Sequence, residues 1–144
     1  MRSHSLAPAG AALVLLLASG LGCVPKPKQD YSADQVKQIE SLEELMRVQA
    51  QTADPQFNRI GQASYTDQEY ASMTEAAHRL QSTAETIRTR FSANRPPSFS
   101  TYASRLGEQA GELLAAIQAK DVAKASASLT GIRDTCRTCH KEHR

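Results

Sequence analysis

The chain has 144 residues, a length that fits one domain, with 17 Lys and Arg against 15 Asp and Glu for a formal net charge of +2. At 40% hydrophobic and 22% charged it has the composition of an ordinary globular protein. With no long basic run, no basic-aromatic surface and no glycine-rich phosphate loop, nucleic-acid and nucleotide binding are disfavoured. Aromatic residues make up only 5% and Trp is absent, so a core must come from Leu, Ile, Val, Ala and Met, which favours closely packed helices.

Residues 1–22, MRSHSLAPAGAALVLLLASGLG, combine Arg2, an apolar run around LVLLLA and then small residues, as an export signal does. The run is short for a bilayer-spanning helix. SGLGC, ending at Cys23, resembles the bacterial lipobox, in which the cysteine is lipidated and becomes the new N-terminus. That resemblance implies a lipoprotein-type signal peptide and a membrane anchor at Cys23. Ordinary signal peptidase cleavage after Ala18-Ser19-Gly20, leaving Cys23 a free thiol, is the alternative. Removal of residues 1–22 takes away Arg2 and leaves 16 basic and 15 acidic side chains, a net charge of about +1. Residues 23–31 then hold the lipidated cysteine and a proline-containing, semi-extended tether, VPKPKQDY. The folded domain is expected over residues 32–144.

Ser32 and Gln35 form a capping-box signature, and Ile39, Leu42 and Met46 follow at the spacing of one helix face. A first helix is expected from Ala33 to about Ala53, ended at Pro55 because the residue before a proline avoids helical geometry. Thr66 and Glu69 make a second capping box. Behind it Tyr70, Met73, Ala77, Leu80, Ala84, Ile87 and Phe91 step by three and four. SANRPPS breaks the pattern, and a third helix carries Phe99, Tyr102, Leu106, Ala110, Leu113 and Ile117 on one stripe. Asp121 can cap a fourth, in which Val122, Ala125, Leu129, Ile132 and Cys136 share a face. No window alternates as a strand does. Four amphipathic helices of this length can bury their stripes only against one another, so the expected fold is all-α, an antiparallel four-helix bundle.

The last helix ends in DTCRTCHKEHR. C-x-x-C-H, here Cys136, Cys139 and His140, is the attachment signature of a c-type haem, in which two thiols add to vinyl groups and the histidine ligates iron. On a helix Cys136 and His140 lie four apart on one face and Cys139 is adjacent, so all three can address one flat ring. Bonds of this kind would tie down an end that otherwise frays. Two rival readings remain. A disulfide oxidoreductase prefers its C-x-x-C at a helix start, where the dipole lowers a thiol pKa, and this pair lies at a helix end. A zinc site needs four ligands, with His140 and His143 the only histidines nearby.

Helix order and terminal motif together resemble the class II cytochromes c, a family that includes cytochrome c-prime and its low-spin relatives. The family motif reads C-x-x-C-H-x-x-Tyr-Arg; Cys136, Cys139, His140 and Arg144 match it, and His143 stands in the aromatic position. The resemblance implies one covalent haem c per chain, thioether links at Cys136 and Cys139, His140 as axial ligand, and Arg144 beside the haem propionates. It also implies a periplasmic location, redox partner proteins rather than a catalysed reaction, and a homodimer through the first two helices as one option.

In that family the opposite face of the iron is covered from the first helix, and its occupant separates electron carriers from gas binders. Met46 is the methionine of the first helix and the candidate sixth ligand; core filling is its plainer role. Met73 reads as core, and His78 as an exposed imidazole. Arg47 is either a propionate contact or a solvated charge. The expected function is extracytoplasmic electron transfer by a monohaem cytochrome, with a five-coordinate protein binding nitric oxide or carbon monoxide as the alternative. A peroxidase is disfavoured because no distal His and Arg pair can be placed.

Overall fold

A computed structural model describes residues 30–143. The export signal, Cys23, most of the tether and Arg144 lie outside the described residues. Among the described residues the chain is helical without strands: α1 (Ala33–Val36), α2 (Leu42–Phe57), α3 (Asp67–Thr86), α4 (Pro97–Gln118) and α5 (Val122–His143). α2 packs on α3 and α5, and α4 packs on α3 and α5, which closes an antiparallel four-helix bundle; α1 lies across α3. None of the described helices is long and apolar enough to cross a membrane.

The expected caps form. Thr66 and Glu69 make a complete capping box at α3, and Ser32 and Gln35 make another at α1. Asp121 accepts the backbone N–H of Lys124 at 3.0 Å at the start of α5. The α4–α5 turn is tight because Lys120 takes a left-handed conformation (φ 51°) and the Asp121 N–H reaches back to the Ala116 carbonyl at 2.9 Å.

Two expectations for the first helix are corrected. A single helix from Ala33 to Ala53 does not form; the chain breaks at Lys37–Ser41 and restarts where Ser41 caps α2 by accepting the Glu44 N–H. Arg90 holds the break open by donating to the carbonyls of Lys37 (2.9 Å) and Ile39 (3.0 Å). At its other end α2 continues through Pro55 to Phe57. Burial of Ala53 and Gln56 on the helix face outweighs the local penalty of a proline close to the helix end. One further departure follows α3, where Ile87–Phe91 forms a π-helical turn before the Pro96-Pro97 break.

The core has two parts. The larger gathers Met73, Ala77, Leu80, Leu113, Leu129 and Ile132 with alanines from α3, α4 and α5. The smaller joins Val36, Ile39, Leu45, Val48, Ile87, Phe99 and Ala103. The stripes expected for α3, α4 and α5 are these buried faces. On α2 the buried face is Leu45, Val48, Gln49, Thr52, Ala53 and Gln56, so Leu42 and Met46 stand beside the core instead of inside it.

Candidate haem site

Leu42 and Met46 do not face the core because they face a cavity. It measures about 610 Å³ and lies where the start of α2, the start of α4 and the end of α5 converge. That is within the ordinary size range of ligand pockets, roughly 300–1,000 Å³. From α2 come Leu42, Met46, Gln49 and Ala50; from α4 come Phe99, Tyr102, Ala103 and Leu106; α5 contributes Thr135, Cys136, Cys139, His140 and His143. Most of this lining is apolar, Ile87 included, and three exposed charged residues, Glu43, Arg47 and Arg95, also border it.

Helical periodicity brings the motif together. Cys136, Cys139 and His140 fall on one side of α5 and all three line the cavity, as the spacing requires. The sulfurs rest on different parts of the interior. Cys136 packs against the larger core cluster and Cys139 against the smaller. Both are free thiols. Burial pushes the Cys136 thiol pKa up, with the Gln49 hydrogen bond pulling against it. Burial also raises Cys139, and the neighbouring Glu142 carboxylate adds to the effect. Thiols held protonated in this way are poor disulfide-exchange nucleophiles, which counts against the oxidoreductase reading. Among the described residues no group of three or more His, Cys, Asp or Glu side chains is arranged to hold a metal ion by itself, as the zinc reading needs.

The end of α5 is anchored by α4 as well as by whatever the cysteines hold. The His143 ring meets Phe99 edge to face at 5.4 Å and lies edge-on to Tyr102 at 6.0 Å, with Nε2 3.1 Å from the Ser98 hydroxyl. One residue earlier, Glu142 accepts a 2.7 Å hydrogen bond from the Tyr102 hydroxyl. That contact, more than burial, raises the Tyr102 pKa. His143 therefore does the packing that an aromatic residue would do at this position.

The remaining candidates separate cleanly. Met46 is half-buried on α2 and lines the same cavity as the motif. Met73 is fully buried in the larger core, and His78 is exposed and does not line the cavity. Arg47 lines the cavity while paired with Glu44, its Nε donating at 3.0 Å. Arg95 and Gln49 are among the lining residues that escaped the sequence reading. Arg95 sits in the proline break, where a charge looks like loop, and its guanidinium stacks 5.1 Å over the Phe99 ring. Gln49 sits on the buried face of α2 and donates from Nε2 to Cys136 Sγ at 3.5 Å. Its only signal was a polar residue one turn beyond Met46.

The site fits a covalently held haem through its own chemistry: two thiols and an imidazole on one helix, apolar side chains around them, and a methionine thioether from another helix lining the same cavity. A family model described as Cytochrome C' matches residues 18–144. No curated protein and no solved structure matches the chain.

Proposed function

This chain belongs to the cytochrome c′ family, whose members bind haem c covalently, typically one per chain, and from that premise we propose that it is an extracytoplasmic electron carrier. Family members are typically periplasmic. Cys136 and Cys139 would hold the group by thioether links, His140 would take one axial position, and Met46 the other. When bound, haem iron supplies a one-electron couple.

The chain's own residues do the rest. Leu42, Ile87, Ala103 and Leu106 give the site apolar walls, and the hydrophobic shell around a site is one of the levers that set a potential. Arg47 and Arg95, with Arg144 beyond the described residues, offer charge to carboxylates at the haem edge. The clamp from Phe99, Tyr102 and Ser98 to His143 keeps the segment bearing His140 against α4. Lipidation at Cys23 would hold the domain at a bacterial membrane surface on its short tether, within reach of redox partner proteins. This function is that of a carrier and requires no catalysed reaction.

The observation that supports the reading is that Met46 of α2 and the C-x-x-C-H motif of α5 line a single cavity. The test is the visible spectrum of ferrous holoprotein before and after carbon monoxide. Sharp low-spin bands indifferent to the gas, lost in Met46→Ala, support it; an unchanged spectrum in Met46→Ala removes Met46 as ligand. The gas-binding alternative draws on the same cavity, where Ala50 of α2 and Ala103 of α4 are small and apolar. A high-spin spectrum that shifts promptly with carbon monoxide would put it first.

A further inference from the structure

The four tyrosines of the chain differ in what their hydroxyls meet. Tyr65 donates to the Arg59 carbonyl at 3.1 Å and Tyr70 to the Lys120 carbonyl at 3.4 Å, and a backbone carbonyl does not keep a proton. Tyr31 donates to a carboxylate, Glu44 Oε1 at 3.0 Å, but borders a different hollow, beside Gln35, Ile39 and Ser41. Tyr102 combines both features. It lines the cavity of the C-x-x-C-H motif, and its hydroxyl donates to Glu142 Oε1 at 2.7 Å.

Packing alone does not call for that hydroxyl. The end of α5 is already tied to α4 through His143, which meets the Phe99 ring and the Ser98 hydroxyl, and a phenylalanine at position 102 would keep the edge-on contact with the same imidazole. What the hydroxyl adds is a proton placed against a base. A phenol gives up an electron far more readily when its proton leaves with it, and an ionised carboxylate at hydrogen-bond distance can take that proton.

We propose that Tyr102 is a redox-active side chain that supplies the second electron when the reduced cofactor meets a peroxide, with Glu142 receiving the phenolic proton. The proposal rests on the reading that the cavity holds haem linked through Cys136 and Cys139. A one-electron carrier is mismatched to hydrogen peroxide, because cleaving the O–O bond to two hydroxides takes two electrons. One electron from ferrous iron alone leaves one hydroxide and one hydroxyl radical. With Tyr102 the second electron comes from the phenol: its O–H bond breaks, the proton passes to Glu142 Oε1, and the products are ferric iron, two hydroxides and a neutral tyrosyl radical. The hydroxyl radical so avoided would arise in the cavity that Met46 lines, and a thioether is open to oxidation.

The test mixes ferrous holoprotein, freed of excess reductant, with hydrogen peroxide and a nitroso spin trap under argon. The radical is followed by electron paramagnetic resonance, and the trapped adduct is located by mass in the digested chain. The expected adduct is on Tyr102. Tyr102→Phe should lose the radical, whereas Tyr31→Phe, which removes the other carboxylate-bonded phenol, should leave the Tyr102 adduct as in wild type. Glu142→Gln keeps a hydrogen-bond acceptor but removes the base, and should lower the adduct about tenfold, the scale that separates a charge-assisted hydrogen bond from a neutral one. A radical undiminished in Tyr102→Phe, an adduct spread evenly over the four tyrosines, or equal yields in Glu142→Gln and wild type overturns the proposal. Should Met46 on the iron keep peroxide from reacting with wild type, the same set is made in the Met46→Ala background and judged by the same outcomes. Failure of the underlying reading looks different: chains made with a c-type maturation system would carry no covalent haem.

Discussion

At one end of the bundle Leu113, Leu129 and Met73 are sealed among alanines, while at the other Leu42, Met46 and Tyr102 border open space. Both ends are built from the same four helices with similar periodicity. What differs is the size and chemistry of the facing positions. Toward the closed end Ala110, Ala116 and Ala125 let the helices approach and fill the interior. Toward the cavity end, the polar side chains of His140, Arg47 and Arg95 and the Cys139 thiol take the places that larger apolar side chains would need, and the smaller cluster packs beside them. A helix face can therefore read as core along its whole length and still change purpose halfway.

Substitutions that act on only one end test this division. The largest loss should come from Leu113→Ala, which empties a fully buried site and should cost about 2–5 kcal/mol in urea or thermal unfolding, with or without cofactor. At the cavity end His143→Ala should cost about 1 kcal/mol through the lost ring contacts, loosen amide exchange in the last turn of α5, and recover in His143→Phe. Thr66→Ala removes the cap of α3 at the closed end for about 1 kcal/mol and should leave the visible spectrum unchanged. Met46→Ala should show the reverse, moving the spectrum while stability stays within about 1 kcal/mol. The smallest effect concerns acid. Hydrogen bonds from the Thr66 backbone and hydroxyl hold Glu69 below the usual carboxylate range. A folded-state pKa below the unfolded one gives stability that is present above the unfolded value and lost as pH falls through the folded one. Glu69→Gln should flatten that part of the acid unfolding curve.

The parts of this architecture legible in sequence were those set by local rules. Capping boxes at Ser32 and Thr66, the stripes of α4 and α5, and that of α3 as far as Ala84 depend on spacings of three and four and form as expected, and the same spacing puts Cys136, Cys139 and His140 on one cavity. The break between α1 and α2 was hidden because Ile39 and Leu42 continue the apolar register while the deciding contacts come from Arg90, more than fifty residues away. Pro55 inside α2 was misread for a related reason, since its local preference yields to burial of its neighbours. Met46 was read on an inner stripe with Ile39 and Leu42, whereas the buried face of α2 runs through Leu45, Val48 and Thr52 and leaves Met46 at the cavity, a distinction that periodicity alone cannot make. Gln49 was invisible because its meaning depends on Cys136, on a different helix. His143, a departure from the family pattern, is explained only by Phe99 and Tyr102 beside it.

The π-helical turn at Ile87–Phe91 places one extra residue between the two parts of the interior. Residues before it, such as Leu80 and Ala84, belong to the larger cluster, and Ile87 and Phe91 pack with the smaller. A chain one residue shorter there would wind as plain α-helix and swing everything after it by roughly 100°. Arg90 would lose its grip on the carbonyls that break the first helix. A single-codon deletion at this turn would thus do what no point substitution does: uncouple the pocket from the rest of the bundle while leaving every helix intact.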